Sequence, residues 1–192
     1  MMSATIGERV TDERIGDGDG EVDRILADIA AAARDSLRES DVDLLRGAIA
    51  VDESAWLRLR AGGHRAPMRI AVRAADGTEL RDVLRVLLAA IRGGTRIDVS
   101  LGWPLSDRLH RALLRAGAQV RVESLRTWGC RVGHGGDRIR VVGPRRSRST
   151  ALRRAMPRPE EWASGADATD VDLDGASELE RLFRPMDLRV AV

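Results

Sequence analysis

Met68-Arg-Ile-Ala-Val-Arg-Ala74, Thr95-Arg-Ile-Asp-Val-Ser-Leu101, Ala118-Gln-Val-Arg-Val-Glu-Ser124 and Asp137-Arg-Ile-Arg-Val-Val142 are four short apolar runs rich in β-branched residues. Two helical patterns separate the first three. Leu80, Val83, Leu84, Leu87, Leu88 and Ile91 recur at three- and four-residue spacing between Asp76-Gly77 and Gly93-Gly94, with Thr78 placed to cap the helix. Leu109, Leu113 and Leu114 recur between Ser106-Asp107 and Gly117. A chain that alternates short strands with amphipathic helices builds a parallel sheet from βαβ units. The expectation is an α/β body over 68–192 with a mostly parallel sheet of about four to five strands. Its strands lie near 68–74, 95–101, 118–124 and 137–142, and its helices near 79–92 and 106–116. Residues 125–132 read as a further short helix.

Both flanks are simpler. Residues 1–20 are small, acidic and Gly-rich, which leaves too little apolar surface to offset ordering entropy, so they read as a disordered tail. From Glu21, the residues Val22, Ile25, Leu26, Ile29, Ala30 and Ala33 form one helical stripe. Ser40-Asp41 looks like the cap of a second helix carrying Leu44, Leu45, Ile49 and Trp56. Residues 21–60 are thus a helical arm, joined to the body through Gly62-Gly63. Two such stripes must find a surface, so the arm is expected to contact a protein partner or a second copy, with Trp56 as an anchor. Past Pro144, Ser149 starts a short helix, 160–176 is loop, Ser177-Glu-Leu-Glu180 opens a helix through Phe183, and Leu188–Val192 is a terminal strand.

Composition excludes more than it identifies. The chain has 192 residues, 43% hydrophobic and 32% charged, as in ordinary globular domains. All 32 basic residues are Arg, and the net charge is only +2. The sequence pI near 9.7 therefore reflects guanidinium groups that never deprotonate, not a surplus of cations. Without lysine there is no Walker motif and no Schiff-base chemistry. Acidic residues interrupt any apolar run near the N-terminus, and no stretch approaches the ~20 apolar residues of a membrane helix. The expected location is cytoplasmic, with no membrane partner.

No catalytic, cofactor-binding or metal-ligating residue is assigned, and no cofactor is expected. The loop after the first strand, Ala74-Ala-Asp-Gly-Thr78, has one glycine where a dinucleotide fingerprint needs three. In Asp17-Gly-Asp-Gly-Glu the glycine that an EF-hand needs at its sixth position is Val22. Cys130 lies close to His134, yet spacing shows neither convergence nor an oxyanion hole, and a half-buried structural cysteine is the commoner case. His64, His110 and His134 lack metal-ligand companions. Arg138, Arg140, Arg145, Arg146, Arg148, Arg153 and Arg154 form the densest basic stretch, but no aromatics interleave them, so nucleic acid is not the expected partner.

Beside these readings stands a resemblance. Ser40-Asp-Val-Asp-Leu-Leu-Arg-Gly-Ala-Ile-Ala-Val-Asp-Glu-Ser-Ala-Trp56 is similar to the helix preceding the C-terminal region of actinobacterial 1-pyrroline-5-carboxylate dehydrogenases of the proline utilization A type. Ile70-Ala-Val-Arg-Ala74, Leu80–Ala90, Ile97-Asp-Val-Ser100, Pro104-Leu, Leu113-Leu-Arg-Ala-Gly117, Val120-Arg-Val122 and Arg138–Gly143 resemble the domain that follows it. Glu178–Arg184 faintly resembles that domain's last helix. The resemblance covers roughly residues 40–143. It lacks the longer linking segment between Trp56 and Met68, the dehydrogenase catalytic domain and its nucleophilic cysteine motif, which Cys130 does not match. It implies a Rossmann-like, aldehyde-dehydrogenase-like domain that does no chemistry but covers a catalytic domain in proline catabolism. Residues 21–192 would then be a free-standing version of that cover, acting through protein contacts. Two alternatives stand beside it: an α/β enzyme binding a nucleotide or small acid at the strand ends, and an Arg-rich nucleic-acid-associated protein.

Overall fold

The computed structural model describes residues 17–63, 69–132, 138–148, 151, 166–167 and 179–180. Five strands, β1 (Arg69–Ala74), β2 (Arg96–Leu101), β3 (Gln119–Val122), β4 (Arg138–Val142) and the two-residue β5 (Ala166–Asp167), form one sheet in the order β3-β2-β1-β4-β5. Every pair is parallel. This is the Rossmann-type order, in which the chain reverses direction across the sheet between β1 and β4. The four anticipated strands appear within two residues of their expected ends. A fifth lies inside 160–176, which reads as loop because two residues carry no detectable period.

The helices sort by face. Helix α3 (Leu80–Arg92) crosses from β1 to β2 and α4 (Asp107–Arg115) from β2 to β3. Both pack on the face carrying Ile70, Val72, Ile97, Val99 and Leu101. Helix α5 (Leu125–Val132) crosses from β3 to β4 on the opposite face, where Trp128 is fully buried among Ala71, Ala75, Ile139, Val141 and Ala151. Ser106 caps α4, its hydroxyl accepting from the Leu109 amide at 3.4 Å. Thr78 does not cap α3. Its hydroxyl bonds the carbonyls of Ala75 and Val142, and Glu79 takes the cap position without a side-chain bond.

Helices α1 (Asp17–Ala33) and α2 (Glu39–Ala61) make a third layer on α3 and α4. Leu26, Ile29, Ala33, Leu45 and Ala55 are buried there in one core with Leu84, Leu87 and Leu113, and Trp56 packs partly buried against it. Both apolar stripes of the arm are thus covered by the chain's own body. Residues 17–20, expected within the tail, are helical because α1 begins at Asp17, and residues 1–16 lie outside the described residues. Helix α2 begins at Glu39 with no side-chain cap. Asp41, expected near the cap, is buried and accepts from Arg81 Nη1 at 2.9 Å. The expected helix after Ser177 is helical at Leu179 and Glu180, whereas the terminal strand 188–192 falls outside the described residues.

Helix α3 is buried from Val83 through Arg92 although it carries two arginines in that span. Arg85, 1% exposed at its side chain, makes a two-pronged ion pair with Asp52 of α2, at 3.0 Å through Nη2. Asp52 also accepts the Leu179 amide at 3.2 Å, drawing the distal helix onto the same point. Removing one partner strands a buried charge. Asp52→Ala is therefore expected to lower unfolding free energy by about 3–5 kcal/mol. The double variant Asp52→Leu/Arg85→Met is expected to recover most of that loss, as read from urea denaturation midpoints.

Candidate functional site

In a sheet of this order, ligands bind beyond the carboxyl ends of the strands, where the chain reverses between β1 and β4. Here that crevice is partly closed. Gly143, at the end of β4, has φ +129, and a Cβ placed there would lie 2.3 Å from Thr78 Oγ1 and 3.3 Å from Ala75 Cβ. Gly77 turns at φ +78, with Pro144 Cγ 3.5 Å from where its Cβ would be. The β1–α3 loop and the loop leaving β4 are therefore in contact on the α3 side. The start of α3, whose cap and first turn are acidic at Glu79 and Asp82, is a poor site for a pyrophosphate. Burial raises the Asp82 carboxyl above its ordinary range, and Arg81 opposes that shift.

On the α5 side the crevice remains open as a cavity of about 280 Å³. Its polar lining is Arg73, Asp76, Arg146 and Ser147, and Leu125 and Ala151 are among its apolar walls. Strand alternation puts Arg73 on this face. It is 3% exposed, and its Nη1 donates to Ser100 Oγ at 2.7 Å and to the Glu123 carbonyl at 3.0 Å. Burial lowers its pKa, with the more distant Glu123 and Asp76 acting against that.

Deeper on the same face, Asp98 of β2 is 1% exposed and pairs with Arg69 of β1 at 3.0 Å and with Arg131 of α5. Arg121 of β3 lies 3.9 Å away. Arg131 also pairs with Glu123. Burial would lower the Arg131 pKa, but the hydrogen bonds to Glu123 and Asp98 more than reverse it. The result is a staple holding α5 to the sheet. Pattern reading missed Asp98 and Arg73 because each sits inside an apolar run. The signal available was a charge at the centre of a strand buried on both faces.

Among the described residues the sequence candidates do not converge. Cys130 is exposed on α5, His110 lies on α4, and His64 and His134 fall outside the described residues. Among the described residues no three or more His, Cys, Asp or Glu side chains are placed to hold a metal ion, and no helix is long and apolar enough to cross a membrane. The basic stretch is split. Arg140 and Arg148 are buried, Arg148 donating to the Gly143 carbonyl at 2.7 Å, whereas Arg145 and Arg146 are exposed. Arg153 and Arg154 lie outside the described residues.

A second surface is the β3 edge. Among the described residues β3 pairs only with β2, and Val122 remains 57% exposed on it. Leu114 of the adjoining α4 is 50% exposed. Comparison with family models, with curated proteins and with solved structures finds no match to this chain.

The closed side of the crevice gives a direct test. Gly143→Ala combines a clash against Thr78 with a backbone angle that L-residues rarely adopt. It should destabilise the fold by more than the ~1–3 kcal/mol of a strained φ alone. Gly94→Ala has a similar positive φ but open space around it, and should fall within that range in the same thermal melts.

Proposed function

We propose that this chain is a non-catalytic accessory domain that acts by docking against a partner protein, in keeping with its resemblance to the C-terminal cover domain of proline-catabolic 1-pyrroline-5-carboxylate dehydrogenases. The observation that supports this reading is the open β3 edge. A strand whose outer amides and carbonyls have no partner is a template for another chain, and proteins ordinarily blunt such edges with proline, a bulge or a covering element. β3 contains no proline, and its only partner among the described residues is β2. Arg121, the one charge on it, leans inward along the sheet face toward Asp98 and Gln119. Val122 and Leu114 add apolar surface beside the free backbone.

Because the arm's stripes pack on α3 and α4, this reading moves the docking surface from the arm to β3. The partner is the catalytic domain of an aldehyde dehydrogenase of the 1-pyrroline-5-carboxylate type. Strand addition supplies backbone hydrogen bonds, and exposed side chains such as Val122 supply selectivity. Mixed at micromolar concentration, the chain and its host's 1-pyrroline-5-carboxylate dehydrogenase should co-elute in size-exclusion chromatography with light scattering. Val120→Pro, which removes a strand amide, and Val122→Arg should each weaken that association about tenfold or more. Separate elution of the wild-type proteins would overturn the reading.

A further inference from the structure

Among the described residues, several buried or half-buried arginines meet a carboxylate, and Arg73 at the strand ends is buried with neutral acceptors instead. Arg85 has the Asp52 carboxylate and Arg92 has that of Asp23. Arg131, half-buried, has both Asp98 and Glu123. Arg73 has neither. Its two hydrogen bonds go to a hydroxyl and a backbone carbonyl, both neutral. Its Nε is buried without a partner. The nearest carboxylates act only at longer range, and that of Glu123 is already engaged by Arg131. Burying a guanidinium without a counter-charge costs several kcal/mol, and proteins keep such a charge where a ligand supplies its partner.

The surroundings specify what that ligand is. Arg73 lines the 280 Å³ cavity together with exposed Arg146 and with Ser147, so two guanidinium groups and a hydroxyl donor border one small space. Guanidinium groups are the preferred partners of carboxylate and phosphate oxygens. Asp76, exposed at the same cavity, accepts hydrogen bonds and repels a second anionic group. Leu125 and Ala151 give apolar wall for a short carbon skeleton. The volume is at the lower limit for a small-molecule site, and contact between the Gly143 and Thr78 loops removes the space a dinucleotide needs.

We infer that the cavity beside Arg73 is a binding site for a small organic anion, a carboxylate or phosphate monoester whose neighbouring hydroxyl or ammonium group meets Asp76. Arg73 takes the anionic oxygens from the floor, Arg146 and Ser147 close on them from the rim, and Asp76 orients the other end. The site stands independently of the docking surface at β3, because it uses β1, α5 and the segment after β4.

The test is thermal stabilisation and calorimetry on the full chain, at fixed ionic strength. Malate, glycerol 3-phosphate and inorganic phosphate are the probes, and sodium chloride is the control. At least one organic anion should raise the melting temperature saturably at millimolar concentration, and glycerol 3-phosphate against malate separates the phosphate source from the carboxylate one. Arg73→Met should melt at or above the wild-type temperature without ligand, since it removes an unpaired charge, and should lose the ligand-dependent rise. Arg146→Gln, on an exposed side chain, should weaken Kd about tenfold, and Arg145→Gln should not change it. A drop in the ligand-free melting temperature of Arg73→Met with the ligand response retained would make Arg73 a structural brace and overturn the inference. So would the absence of saturable binding by wild type, an Arg146→Gln variant that binds as well as wild type, or NAD binding that depends on Arg73.

Discussion

Helix α3 lies between two layers, the sheet beneath it and the α1–α2 pair above, and the rest of the molecule is arranged around its enclosure. Covered on both sides, a helix must be apolar nearly all round, and α3 meets that demand from Val83 to Ile91 except at Arg85. The Arg85–Asp52 ion pair resolves the exception. Desolvation makes such a pair a poor source of net stability, but it fixes register: Asp52 can meet Arg85 only when α2 lies at one position along α3. The Asp41–Arg81 pair repeats the device near the other end of α2. Apolar stripes alone would let the arm slide; two charge pairs make one placement correct.

The opposite face of the sheet is built on a different principle. There the strands turn Arg69, Arg73, Asp98, Ser100 and Arg121 toward α5, which is only eight residues long. A parallel sheet ordinarily buries apolar residues on both faces. This one is apolar beneath α3 and α4 and polar over β2 and β3, where Asp98 gathers guanidinium groups from two other strands and a helix. Apolar cover returns only over β1 and β4, around Trp128. The boundary between the polar and apolar halves runs along β1, and Arg73 sits at its carboxyl end.

How much of this was legible follows from what each element needed. β1, β2 and β4 are enclosed by the cores, so their apolar runs are dense and their limits fall where Gly and Asp-Gly signals stand. α3 and α4 show a full apolar stripe for the same reason. The arm's helices were visible too, but not their partner, because a stripe reports that a surface exists and not which one. The Thr78 hydroxyl serves the carbonyls of Ala75 and Val142 instead of the helix, since Gly143 brings β4 close enough to compete, and no local pattern encodes that approach. β5 pairs by two residues only. Asp98 and Arg73 looked like ordinary strand polar positions, and their burial depends on α5 arriving from beyond β3.

Sequence and structure meet most informatively at the reversal point of the sheet. One fingerprint glycine in the first loop argued against a dinucleotide, and the structure supplies the mechanism. The space such glycines would open is filled by Pro144 and by the contact of Gly143 with Thr78. Loss of that space does not empty the crevice of charge. The same β4 exit that closes the α3 side carries Arg146 and Ser147 round to the α5 side, beside Arg73. A backbone that had simply lost its ligand site would gain stability by replacing a buried, carboxylate-free arginine with an aliphatic residue, as at Ala71 and Ala75 on the same face. Arg73 instead stands between those two alanines, where the carboxyl end of β1 borders the cavity.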